Sequence, residues 1–188
     1  MQFDEMVATL KKPGQDLLDS WTPEKASAIH MLIGIYDENM EVTEALYNMA
    51  QAPDSEAAKI HVIEELGDLA FYLVGLAQDL ELAEQVLAYP LPELKGQAST
   101  HIMELTTMLK RHLMYQKHLE KPEVVVHMRQ ILSAISQFAA GAGSTLEGVL
   151  EANKAKLLGG RYKEGKYSDE QANSRQDKSG VDTAEQSE

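Results

Sequence analysis

Apolar residues recur at three- and four-residue intervals along almost the whole chain up to position 158, and the breaks in that rhythm fall on proline and glycine. A chain patterned this way, without long alternation of β-branched residues, can bury its apolar stripes only by packing helix on helix. The pattern predicts an all-α fold, a bundle of about five principal helices. A short opening helix carries Phe3, Met6, Val7 and Leu10 and stops at Pro13-Gly14. Thr22 as N-cap and Pro23 at the first helical position, where a missing N–H costs nothing, open a long helix to about Ala50. Beyond Pro53-Asp54-Ser55, a second long helix is expected from roughly Glu56 to Ala88, ending before Pro90 and Pro92. A third is expected from about Glu93 to Leu119. Pro122 opens a fourth, with Val124, Met128, Leu132 and Ile135 on one stripe, fading at Gly141-Ala142-Gly143. Ser144-Thr145-Leu146-Glu147 reads as a capping box for the last helix, with Gly159-Gly160 as its C-cap.

With 188 residues the chain fits a single domain. That domain is expected over 1–162, because from Lys163 to Glu188 the only aliphatic residue of any size is Val181, and a polar tail of this kind cannot offset its ordering entropy by burial. No apolar run is long enough to cross a bilayer, and the start, Met-Gln-Phe-Asp-Glu, lacks the basic and apolar regions of a signal peptide; a cytoplasmic protein without membrane contact is expected. The absence of cysteine excludes disulfides, thiolate metal sites and cysteine nucleophiles, so any metal must take oxygen or imidazole ligands. A formal net charge of -13 opposes binding to nucleic acid. It equally means that a polyanionic substrate would need divalent cations or a local basic patch at its site.

Two acidic pairs stand out. Glu38 and Glu41 are three apart on the first long helix, Glu65 and Asp68 three apart on the second, so each pair shares a helix face. Glutamates at this spacing commonly line a solvated face. Here Ile35, Val42, Gly34 and Ala45 flank the first pair, and the second lies on a stripe with His61 and Tyr72, bordered by Leu69 and Leu76. If the two helices pack antiparallel across their short loop, the carboxylates converge, and negative charges that close require a cation. All-oxygen ligands are hard, which points to Mg²⁺ or Mn²⁺ and so to phosphoryl chemistry. A di-iron carboxylate bundle would need Glu-x-x-His pairs, which do not occur, and no His-Glu-x-x-His, EF-hand or complete Gly-x-x-x-x-Gly-Lys-Ser/Thr motif is present.

These residues resemble the MazG-like all-α nucleotide pyrophosphohydrolases, whose hallmark is Glu-x-x-Glu on one helix and Glu-x-x-Asp on the next. The run from Ile63 to Leu73 is close to that family's second-helix text; Leu109-Lys110-Arg111 with Tyr115-Gln116-Lys117 is similar to its basic third-helix segment, and Leu150 to Leu157 with Arg161-Tyr162 to its closing signature. The likeness covers about Thr22 to Tyr167. The chain departs from the family at Tyr36-Asp37 and Asn39-Met40, where members commonly carry small residues.

The resemblance implies a MazG-like bundle assembled as a homodimer or dimer of dimers, which converts a nucleoside triphosphate and water to the monophosphate and pyrophosphate. Glu38, Glu41, Glu65 and Asp68 would hold Mg²⁺, with Mn²⁺ as substitute. Glu38 or Glu41 would also act on the water, and Glu64 and His61 would stand in an outer shell. Lys110 and Lys117, seven apart with Met114 between, suit phosphate contact, or else form a basic surface face. Asn153, Lys156, Arg161 and Tyr162 are the remaining substrate-binding candidates. Trp21, His30 and Tyr72 could stack on a base, although aromatic residues at helical spacing are more often core. Two alternatives stay open: a related enzyme such as a dimeric dUTPase or phosphoribosyl-ATP pyrophosphohydrolase, and a non-catalytic helical interaction module.

Overall fold

Thr22 begins the first long helix as its chemistry requires: its Oγ1 accepts from Lys25 N at 3.4 Å and its carbonyl from Ala26 N at 3.0 Å. The Thr22 hydroxyl and, less strongly, the Glu24 backbone N–H hold the Glu24 carboxyl below its ordinary range. In the computed structural model, which describes residues 1–162 and 165–174, the helices are α1 (Phe3–Leu10), α2 (Gly14–Leu18), α3 (Pro23–Gln51), α4 (Glu56–Asp79), α5 (Ala83–Leu87), α6 (Ala98–Tyr115), α7 (Lys121–Gly141), α8 (Leu146–Lys156) and α9 (Asp169–Ser174). A π-helical turn over Leu157–Arg161 follows α8. The fold is all-α, with no strand among the described residues, and none of the described helices is long and apolar enough to cross a membrane.

Several helix boundaries differ from those expected. The second long helix does not reach Ala88. It stops at Asp79, Glu81 turns the chain at φ 60°, and Leu82 N bonds Ala77 O at 2.7 Å. Leu80 and Leu82 are both buried, and residues two apart cannot face the same side of an α-helix. The third helix starts at Ala98, not Glu93, because the side chains of α7 take up the backbone groups of the preceding segment. Gln130 accepts from Lys95 N (2.7 Å) and donates to Glu93 O (3.1 Å), Ser133 donates to Pro92 O (2.8 Å), and Arg129 donates to Ala88 O (2.7 Å). That helix also ends early, at Tyr115, where Gln116 enters the left-handed region at φ 54° and Lys117 N bonds Arg111 O at 3.1 Å.

At the last long helix the cap is Thr145, whose hydroxyl accepts from Gly148 N at 3.0 Å, and not Ser144, whose backbone N–H instead closes the end of α7 on Ala139 O at 2.8 Å. Gly159 and Gly160 do not terminate α8 but lie inside the π turn, closed by Tyr162 N on Leu157 O at 2.7 Å. Helix α9 falls in the stretch read as polar tail, while residues 163, 164 and 175–188 lie outside the described residues.

The chain divides into two compact units, Met1–Tyr36 with Tyr72–Ser133, and Asp37–Phe71 with Ala134–Glu188. In the first, the core includes Ile35, Leu73, Leu76, Ile102, Leu105, Leu109, Met128 and Ile131, all fully buried. Helices α3 and α4 approach closely there through two glycines: a Cβ on Gly34 would overlap the Tyr72 ring, and one on Gly75 would stand 2.6 Å from Met31 Sδ. In the second unit Val42, Ala45, Val62, Leu66, Leu69, Ala139 and Val149 are buried. A side chain at Gly34 has no room to enter. Gly34→Ala is therefore expected to lower the melting temperature: overpacking of about 1–3 kcal/mol exceeds the roughly 1 kcal/mol that alanine adds to a helix. Gly141→Ala, with nothing within 4 Å of its Cβ, should be neutral or slightly stabilising in the same thermal melt.

Candidate functional site

The second unit brings acids from two helices together. Glu38 of α3 and Glu65 and Asp68 of α4 each offer a carboxylate oxygen, and the three atoms lie within 4.8 Å of one another. Glu65 is only 3% exposed, on a helix whose Leu66 and Leu69 are also buried. Of the apolar neighbours read from the sequence, Val42 and Ala45 of this unit are buried, so the acids lie on helices whose apolar side chains are packed. Glu41, one turn beyond Glu38 and half-buried, is not one of the three clustered acids. At its level Val42 and Ala45 take the inward face of α3. Three carboxylates meet where four were expected.

His61, one turn before Glu65, places its Nδ1 3.3 Å from Glu65 Oε1. Glu64 is half-buried and outside the clustered group. Asp68 is held from α8. Lys156 Nζ lies 2.7 Å from its Oδ1 and 2.6 Å from its Oδ2, and Asn153 Nδ2 donates to Oδ1 at 2.7 Å. Asn153 is 8% exposed, and Lys156 and Asp68 have side chains 13% and 14% exposed, so this is a shielded ion pair. Such a pair is stronger per contact than a surface bridge and more costly to break from one side.

Gly67 makes that approach possible. A Cβ at this position would stand 2.8 Å from Asn153 Cβ, which brings α8 close enough for both side chains to reach Asp68. Sequence reasoning passed over this residue, although a glycine inside a helix costs about 1 kcal/mol against alanine and so asks for a packing reason.

The remaining candidates are distributed over both units. Lys110 and Lys117 belong to the first unit and are exposed. They do not share a helix face, because α6 ends at Tyr115 and Lys117 follows the left-handed Gln116. Lys117 instead lines a cleft of about 710 Å³ with Met108, Arg111, Tyr115 and His118, whose walls carry none of the clustered acids. Arg161 is in the π turn and Tyr162 just after it, both half-buried, with the Tyr162 ring 5.8 Å from that of Tyr167. His30 and Tyr72, both in the first unit, pair with each other edge to face at 5.9 Å, and Trp21 of the same unit is half-buried.

The three acids could hold a metal ion, and their all-oxygen donor set is the kind a hard cation takes. Oxygen ligands on one Mg²⁺ at about 2.1 Å lie roughly 3.0 Å apart when adjacent and roughly 4.2 Å apart when opposite, and the three carboxylate oxygens, within 4.8 Å of one another, stand near that range. Three carboxylates against one ammonium leave an excess of negative charge at a partly buried place, which a cation relieves. No protein-family model matches the chain, and comparison with curated proteins and with solved structures finds no match either.

Proposed function

We propose that the chain is a Mg²⁺-dependent nucleoside triphosphate pyrophosphohydrolase of the MazG-like kind, in which water attacks the α-phosphorus and pyrophosphate leaves. The observation that carries this reading is the meeting of Glu38, Glu65 and Asp68, acids from two consecutive helices, within 4.8 Å. These three side chains would hold the ion. When bound, Mg²⁺ offsets the charge of the triphosphate and stabilises the charge that develops as the anhydride breaks.

The chain's own residues supply the rest. Glu65 is oriented by His61 and by its burial, and Asp68 by Asn153, so two of the three side chains are positioned before any ligand arrives. Glu41, outside the cluster but one helical turn from Glu38, is the residue we assign to positioning or deprotonating the water. Lys156, Asn153, Arg161 and Tyr162 remain the candidates for contact with phosphate and sugar. The protein would act as a dimer, since apolar side chains such as Ile33, Met40 and Tyr47 of α3 are exposed.

The Lys156–Asp68 pair also favours a second reading, a helical interaction module whose acids are satisfied internally. Turnover separates the two. Incubation with a panel of NTPs and dNTPs in Mg²⁺ should release pyrophosphate and the monophosphate from at least one of them, and excess chelator should stop it; no Mg²⁺-dependent turnover on any nucleotide would leave the module reading. Glu38→Gln, Glu65→Gln and Asp68→Asn should each lower kcat/KM by more than about a hundredfold, since outer-shell partners alone are worth about 10–100-fold. The helical circular dichroism signal should be retained. Full activity in all three would overturn the site. Glu41→Gln should lower kcat while leaving Mn²⁺ affinity within about twofold, the separation expected of a residue acting on water and not on the ion.

A further inference from the structure

Lys156 reaches both oxygens of Asp68, at 2.7 and 2.6 Å, and so covers the side of the carboxylate from which a metal ion would be bound bidentately. It does so from a shielded position, as the last residue of α8, with Asn153 one turn earlier occupying Oδ1 as well. Asp68 is at the same time one of the three clustered acids. An ammonium and a divalent ion cannot occupy the same carboxylate face, and two positive charges a few ångströms apart in a partly buried site repel strongly.

We propose that Lys156 is a built-in cation: it neutralises Asp68 while no metal is bound, and a divalent ion must displace it to complete the site. This rests on the reading of Glu38, Glu65 and Asp68 as a cation site, and it adds a regulation of that site. The lysine holds the acids together in the metal-free chain and sets a threshold concentration of metal below which the site stays closed. Displacement also frees an ammonium beside the bound ion, where a polyanion would satisfy it, so that metal and phosphate ligand favour each other's binding. A lysine that merely props Asp68 in place would act in the opposite sense, because its removal would disorder a ligand and weaken metal binding.

Direct Mn²⁺ binding by the full chain, followed by the loss of the free-ion electron paramagnetic resonance signal, decides between them without reference to turnover. Lys156→Met is expected to bind Mn²⁺ at least tenfold more tightly than the unsubstituted chain. It should also melt at a lower temperature in EDTA, and Mn²⁺ should restore the difference. Lys156→Arg, which keeps a cation on Asp68, should stay within about threefold of the unsubstituted chain. Lys156→Gln keeps a donor without the charge and should shift binding in the same direction as Lys156→Met, so a poorly folding methionine variant leaves the test intact. Unchanged or weaker Mn²⁺ binding in both neutral variants, with measurable binding by the unsubstituted chain, overturns the built-in cation and leaves the acid site standing. No Mn²⁺ binding by any of the chains overturns the acid site itself and this inference with it.

Discussion

Carboxylates forced together at the edge of an apolar core are the constraint around which the second unit is arranged. Glu65 is almost fully buried beside Leu66 and Leu69, and Glu38 and Asp68 approach it from the facing and the same helix. Ionised acids in such a place are tolerable only with positive charge or donors supplied to them. Each supply is visible in the chain: an imidazole from one turn earlier on α4, an amide and an ammonium from α8. Helix α8 carries these polar contacts together with its buried Leu146 and Val149. A glycine on α4 sets how near it comes.

The first unit solves a different problem with the same means. Its segment between α5 and α6 has no regular hydrogen-bonding partner of its own. The polar side chains of α7, buried where they would ordinarily be costly, become the partners of that backbone. Gln130 and Ser133 are thus buried polar residues with their hydrogen-bonding capacity used, and their burial fixes where α6 can begin.

Helical periodicity was enough to read the class of the fold and the positions of α3 and α7, because in those stretches the apolar stripe, the opening residue and the breaker agree; at α8 the stripe placed the helix, but the cap fell on Thr145 and the two glycines did not end it. It failed where two signals conflicted. Leu80 and Leu82 belong to a two-residue alternation that a helix cannot bury, yet no glycine or proline announced the turn at Glu81. Gln116 likewise enters the left-handed region without a glycine to mark it, which removed Lys117 from the face on which it had been placed. For the acids, local spacing showed which carboxylates share a helix face, and the short loop between α3 and α4 implied that Glu38 and Glu41 would face Glu65 and Asp68. The absence of Glu41 from the cluster depends on the rotation of α3 about its axis, set by Val42 and Ala45. The grip of Lys156 on Asp68 joins residues 88 positions apart, and sequence spacing carries no information at that range.

The π turn at Leu157–Arg161 has a geometric corollary. A loop of backbone that spends one surplus residue on a single revolution shifts the angular phase of whatever comes after it, by roughly 100° relative to an uninterrupted α-helix. Arg161 and Tyr162 are therefore aimed by a phase offset that Asn153 and Lys156 do not share. Shortening the Gly159-Gly160 pair by one residue would restore the ordinary phase and swing the guanidinium to another azimuth, altering its direction while leaving the amino acid itself untouched.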